Sequence, residues 1–185
     1  MEVEIGAEAK DKRLNRLVAL TVVVLSIFMG LANVKDGNLV EAMDQAQARS
    51  IDLWNEYQAT RIKRHVDEVA LAQLKLTPPA SPAAAAEEAR LAAEMARYDR
   101  EAPDLRSKAQ AAADRYDAIN VHDDQFDAAD ALIGIAVAVA AVAALAESLP
   151  ALVVAWAFGA AGLAMGLAGF LNLDVRLAWL SNLLG

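Results

Sequence analysis

The sequence predicts an all-α integral membrane protein. Three transmembrane helices carry a long extramembrane antiparallel helical hairpin, packed as a coiled coil, between the first and second spans. Charged and apolar residues are segregated: 17–34, 131–146 and 148–173 contain no charged side chain, whereas 35–130 hold 12 basic and 19 acidic residues. A water-soluble globular protein mixes the two kinds of residue, so the uncharged stretches are interpreted as membrane spans.

Composition excludes several classes of function. The 185 residues carry a net charge of −8, with 57% hydrophobic residues and no cysteine. The acidic balance argues against nucleic-acid binding, because phosphate contacts need lysine and arginine. Without cysteine the sequence offers no disulfide, no thiol nucleophile and no cysteine-based metal site.

The first span, residues 17–34, follows a basic N-terminal tail, residues 1–16. About 20 apolar residues cross a bilayer, and this run supplies eighteen. A signal peptide is the alternative, because a basic cluster precedes the run. The run is long for a signal sequence, however, and no Ala-x-Ala cleavage site follows it. We therefore predict an uncleaved transmembrane helix.

The second and third spans, 131–146 and 151–171, are predicted to form a transmembrane hairpin. The short link from Glu147 to Pro150 reads as a turn. Proline suits the first turn of a helix, where its missing N–H costs no hydrogen bond. By the positive-inside rule, the basic cluster before the first span places the N-terminus in the cytoplasm and residues 35–130 on the opposite, periplasmic side.

Residues 35–130 are predicted to run out and back as two helices with a turn near 77–81. The stretch 39–76 contains no proline or glycine, and its apolar residues recur near helical spacing: Val40, Met43, Ile51, Trp54, Ile62, Val66 and Val69. The proline-rich turn then ends the helix. Ser81 is the expected N-cap of the return helix, and Pro82 its first residue.

The return helix carries the clearest periodicity. Steps of four and three residues connect a set that is almost entirely apolar or aromatic: Leu91, Met95, Tyr98, Ala102, Leu105, Ala109, Ala112, Tyr116, Ile119, Asp123, Phe126 and Asp130. A sustained 3.5-residue period is typical of a coiled-coil seam. The register continues across Pro103, where a kink is expected. Because this alanine-rich seam buries little area, we expect several hairpins to associate.

Small residues line one face of the third span, at Ala155, Gly159, Gly162, Gly166 and Gly169. Close backbone approach drives helices together in lipid, and Gly162 with Gly166 forms a GxxxG motif. A matching stripe in the second span consists of Gly134, Ala138 and Ala141. Packing of these two spans within one chain and association between chains are equally good explanations.

Sites for chemistry are sparse. His122, Asp123 and Asp127 include metal-ligand types, but a solvated acidic collar explains them better than a cation site. The basic patch 61–65 predicts ion pairs with the return helix, with a phosphate or lipid site as the alternative. The spans contain no ionisable residue, which argues against a transporter or pump. No catalytic motif is present, so we predict no enzyme activity, no cofactor and no metal.

The C-terminal segment, 172–185, is predicted to form a short interfacial helix. Leucines at 173, 177, 180 and 184 line one face, and Trp179 suits the headgroup level of a bilayer. A frayed tail is the alternative.

One stretch of the first hairpin helix resembles a known family. It reads Asp52-Leu-Trp54-Asn-Glu-Tyr57-Gln58-Ala-x-x-Ile62-Lys63-x-His65, and it is similar to the bacterial family of domain of unknown function 4337. The resemblance extends to the order of segments over most of the chain. It implies a bacterial inner-membrane architecture and no assigned reaction. The characteristic positions would be Trp54, Tyr57, Gln58 and Lys63, interpreted as a packing or partner-docking node.

These features predict a non-enzymatic structural or interaction protein. It would contact membrane lipid and either assemble with itself or serve as an accessory subunit of a larger membrane complex. An oligomeric channel or pore lined by the spans is the alternative, and conductance in reconstituted bilayers would distinguish the two.

Overall fold

The computed structural model describes residues 2–76, 81–173 and 175, with side chains from residue 12 onward. These residues form three helices and no strand: α1 (Glu2–Leu76), α2 (Pro82–Leu145) and α3 (Leu149–Phe170). The prediction of an all-helical chain is confirmed. All three helices are long and apolar enough to span a membrane.

The helix ends follow local chemistry. The Ser81 hydroxyl accepts a hydrogen bond from the Ala84 amide at 3.1 Å, which confirms Ser81 as the N-cap of α2. Ser148 caps α3 in the same way through the Ala151 amide, and Pro150 lies in the first turn as predicted. α2 continues through Pro103 without a break. The predicted turn at 77–81 lies, except for Ser81, outside the described residues.

The chain divides into two compact units. The three-helix unit combines Met1–Ala42 with Ala118–Gly185, and the two-helix unit is Met43–Asp117. α1 and α2 contribute to both, and α3 belongs to the three-helix unit alone.

The three-helix unit has a core of small and aliphatic residues. One cluster brings Leu14 and Val18 of α1 against alanines of α2 and Leu152 of α3, and a second centres on Leu25, Ile133 and Ala136. The alanines allow close helix approach, as in membrane bundles. Trp156 donates a hydrogen bond to the Thr21 hydroxyl at 2.8 Å, joining α3 to α1.

The outer surface of this unit is strongly apolar. Several large aliphatic side chains of α1 are more than half exposed: Leu20, Val23, Val24, Ile27, Leu31 and Val34. In water this surface would be unfavourable by roughly 25 cal/mol per Å². In a bilayer the same side chains would face lipid, which agrees with the segregation seen in the sequence.

The two-helix unit pairs segments of α1 and α2 that run in opposite directions. Ser50 donates to the Ala109 carbonyl, Arg64 pairs with Asp99, and Lys75 pairs with Glu88. Residue numbers therefore fall along α2 as they rise along α1. The α2 positions predicted as the seam are buried or partly buried across both units, and Asp130 alone among them is exposed.

Two residues determine how the backbone continues after the C-terminal end of α3. The backbone turns at Asn172, with φ of 51°. Gln125, 1% exposed, donates to the carbonyls of Leu173 and Val175. The remainder of the predicted interfacial segment, including Trp179, lies outside the described residues.

Candidate interaction sites

The four positions expected to form a docking node are placed differently on α1. Trp54 and Tyr57 are partly buried and pack edge-to-face, with ring centroids 5.6 Å apart. Gln58 and Lys63 are exposed. The structure therefore brings the two aromatic residues together and leaves the other two on the surface.

The apolar residues of 39–76, which recur near helical spacing, do not all lie on one face of α1. Met43 is buried and Trp54 is partly buried. Ile51, Ile62, Val66 and Val69 are 44–64% exposed. α1 thus has two apolar faces in the two-helix unit, and only one of them packs on α2.

The exposed apolar face continues as an uncharged stripe, here called the outer stripe. At roughly 100° per residue its members fall within an arc of about 100°, and each is exposed: Ala48, Ile51, Asn55, Gln58, Ile62, Val66, Val69, Gln73 and Leu76. Charged residues are frequent on the rest of this helix segment. A solvated helix normally places charge on its outer face, so the outer stripe has the character of a contact surface.

A second feature of this unit is a groove of about 380 Å³ beside Pro103, here called the arginine groove. Its walls carry three guanidinium groups, from Arg61, Arg64 and Arg106, and one carboxylate, from Asp99. Proline has no amide hydrogen, so α2 lacks one hydrogen bond at this point. The remaining lining residues are Tyr57, Thr60, Tyr98 and Ala102.

Charge in the arginine groove is only partly compensated. Arg64 donates to Asp99 at 3.0 Å and to Glu68 at 2.6 Å, which confirms the predicted ion pair with the return helix. Arg61 instead donates to the Tyr57 hydroxyl at 3.1 Å and stacks over its ring. Within the described residues, neither Arg61 nor Arg106 forms an ion pair.

The glycines of α3 face α1 and α2 of the same chain. A Cβ added at Gly162 would lie 2.7 Å from Ile133 Cγ1 and 3.1 Å from the Ala129 carbonyl oxygen. One added at Gly166 would lie 2.5 Å from the Phe28 ring. The remaining contacts are Gly159 with Leu25 and Gly169 with Phe126. Of the two explanations for this stripe, packing within one chain accounts for these contacts. The predicted matching stripe of Gly134, Ala138 and Ala141 is wrong, because all three residues are exposed.

The prediction of a solvated acidic collar is confirmed for Asp127, which is exposed, but it is wrong for Asp123. Asp123 is partly buried, and neither its Oδ1 nor that of Asp36 on α1 has a hydrogen-bond partner. Burial, and then the negative charges of Asp36 and Asp127, raise the pKa of Asp123 from 3.8 to about 6. His122 contacts Gln125 at 3.3 Å. Within the described residues, no group of three His, Asp or Glu side chains converges as a metal site.

This carboxyl group makes the stability of the three-helix unit depend on pH. Because folding raises the pKa of Asp123, its ionised carboxylate destabilises the folded state above about pH 6. This destabilisation disappears as the pH falls toward 4. Replacing Asp123 by Asn is therefore expected to raise the free energy of unfolding at pH 7.5 by about 1–2 kcal/mol, after allowance for solvent screening. The gain should be small at pH 4.5. Denaturant titration in detergent at both pH values measures it.

The matched control is Asp117→Asn on the same helix, at an exposed position. It should change stability little at either pH. An equal gain from both variants, or a gain for Asp123→Asn that does not shrink at pH 4.5, would contradict this explanation.

Comparison with known proteins decides the family. The family model described as Domain of unknown function (DUF4337) matches residues 14–172. The chain belongs to the DUF4337 family. The expected family membership is confirmed, and the DUF4337 match includes the outer stripe, the arginine groove and the α3 glycines. No match was found among the curated proteins or among the solved structures.

Three residues of these sites were not singled out from the sequence. Thr60 and Arg106 line the groove, and Gln125 ties α2 to the segment after α3. A threonine or arginine within a charged helix carries no distinctive local signal. Gln125 adjoins a seam position, Phe126, but its backbone partners lie 48 and 50 residues away.

Proposed function

We propose that this chain is a non-enzymatic, multi-pass protein of the bacterial inner membrane that assembles with further copies of itself. Its N-terminus lies in the cytoplasm, and residues 35–130 form a periplasmic coiled-coil hairpin. Hairpins of neighbouring copies pack through the outer stripe, and membrane lipid surrounds the spans. The protein acts as a structural or interaction component, on its own or as an accessory subunit of a larger membrane complex.

The outer stripe is the observation that carries this proposal. Ile51, Ile62, Val66 and Val69 remain exposed when the two-helix unit has formed its own buried face. Fully burying an aliphatic side chain stabilises by about 1.5–3 kcal/mol, so covering this stripe is favourable. An alanine-rich pair of helices has little buried area of its own, and added contacts with another hairpin would stabilise it.

A second copy of the chain suits this stripe better than a charged partner. The stripe carries no charge, so two copies meet without repulsion or an unpaired ion. Copies inserted with the same orientation present parallel α1 helices, which places each residue opposite its own equivalent. Asn55, Gln58 and Gln73 would then lie opposite identical amide side chains, and amide pairs set register in helical bundles.

Disulfide cross-linking in isolated membranes tests the arrangement directly, because the chain has no native cysteine. Val66→Cys is expected to give an oxidised species of twice the 19.6 kDa chain mass, since a disulfide requires Cα atoms within about 7 Å. The control is Glu56→Cys, which is exposed on α1 but away from the stripe, and should give little dimer.

Equal dimer yields from the two cysteine variants would contradict the proposed contact. A product of another mass would mean that a different protein covers the stripe, which would also contradict self-association through it.

A further inference from the structure

We propose that the arginine groove of the two-helix unit binds a phosphate group. The groove volume of about 380 Å³ lies within the range of roughly 300–1,000 Å³ that is usual for small-ligand pockets. Its occupant is a phosphate monoester, either a small soluble compound or a lipid headgroup. This inference does not depend on self-assembly.

The arginine groove carries more positive than negative charge. Arg64 pairs with both Asp99 and Glu68, so this group of three side chains carries one net negative charge. Arg61 and Arg106 add two positive charges to the groove, and within the described residues no carboxylate pairs with either. Such an excess is notable in a chain whose net charge is −8, and it favours an anionic ligand.

The donors are also held in position. The Arg61 guanidinium donates to the Tyr57 hydroxyl at 3.1 Å and lies 5.9 Å from the centre of that ring. Stacking and the hydrogen bond restrict the side chain, and guanidinium N–H groups remain for a ligand. Arg106 comes from α2, so the two guanidinium groups approach from different helices.

Thr60 adds a hydroxyl group to the wall of the groove. It lines the groove and is 5% exposed. No hydrogen bond joins its hydroxyl to the described part of the chain. The hydroxyl oxygen is not among the fully buried unpaired atoms, so it stays accessible from the groove and can donate to a ligand oxygen.

The arrangement of donors favours phosphate over carboxylate. Two guanidinium groups from different helices and one hydroxyl group line the groove as hydrogen-bond donors. A carboxylate has two oxygens in one plane, whereas a phosphate monoester presents three charged oxygens around a tetrahedral centre. The groove therefore suits phosphate.

Isothermal titration calorimetry on the full chain in a maltoside detergent at low ionic strength tests the proposal. Three probes are titrated separately: inorganic phosphate, glycerol phosphate and a short-chain phosphatidic acid. Arg106→Gln should weaken binding at least about tenfold, because a charged hydrogen bond is lost. Thr60→Val, which keeps the side-chain shape, should weaken it about fivefold. The control Arg115→Gln removes an exposed charge outside the groove and should leave affinity nearly unchanged.

Circular dichroism of each variant confirms that it remains folded. Binding of inorganic phosphate or glycerol phosphate with this variant pattern supports a soluble ligand. Binding of phosphatidic acid alone, with the same pattern, supports a lipid headgroup. The proposal is overturned if the folded wild-type chain binds none of the three probes at about 10 mM, well above the millimolar affinity of a weak site. It is equally overturned if Arg115→Gln weakens binding as much as Arg106→Gln.

Discussion

Replacing Gly162 by alanine is expected to lower the free energy of unfolding of the three-helix unit by about 1–3 kcal/mol, the usual range for overpacking a close contact. The added methyl group would meet Ile133 Cγ1 at 2.7 Å, the Ala129 carbonyl oxygen at 3.1 Å and the Ile133 amide nitrogen at 3.2 Å. A side chain can change rotamer, but two of these atoms belong to the backbone of α2. The helices must therefore move apart.

The matched control is Gly134→Ala in α2, where an added Cβ has no atom within 4 Å. It should be neutral or slightly stabilising, because alanine favours helix over glycine. Titration of the detergent-solubilised protein with dodecyl sulfate, followed by tryptophan fluorescence, measures both. Equal stabilities for Gly162→Ala and Gly134→Ala would show that α3 does not pack as described.

Much of the fold could be predicted from local sequence patterns. The proline-rich stretch ends α1 before Pro82, and serine hydroxyls cap α2 and α3. The heptad spacing marks the packed face of α2. These features depend on residues that are close in sequence, where propensity and periodicity act directly.

The candidate sites were less predictable because they depend on distant pairings. Arg61 and Arg106 line the same groove only because of the register between α1 and α2. Asp123 is perturbed by Asp36, which is far away in sequence. Hydropathy also does not show which of two apolar faces of a helix packs on the neighbouring helix. Met43 and Ile62 therefore look alike in the sequence, although Met43 is buried and Ile62 is exposed in the structure.

Three substitutions on the outer stripe are expected to dissociate the assembly. The substitutions are Ile62→Gln, Val66→Gln and Val69→Gln. Together they should make the free energy of association less favourable by about 3 kcal/mol, which is a roughly hundredfold rise in the dissociation constant. The single chain should remain folded, because exposed substitutions usually change stability by less than about 0.5 kcal/mol. Circular dichroism checks this.

A matched triple variant separates the stripe from general surface effects. Arg49→Gln, Glu56→Gln and Lys63→Gln lie on one exposed line of α1 away from the stripe. This variant should assemble like the wild type. Dissociation of both triple variants would show that the stripe has no special role.

The most direct test of self-assembly through the outer stripe is the mass of the wild-type particle in a mild detergent. Mass photometry or light scattering measures this mass, with the detergent contribution subtracted. Assembly through the outer stripe predicts a particle of two or more 19.6 kDa chains for the wild type and a single-chain mass for the stripe variant at the same concentration. A wild-type particle that contains one chain at micromolar concentration would contradict it.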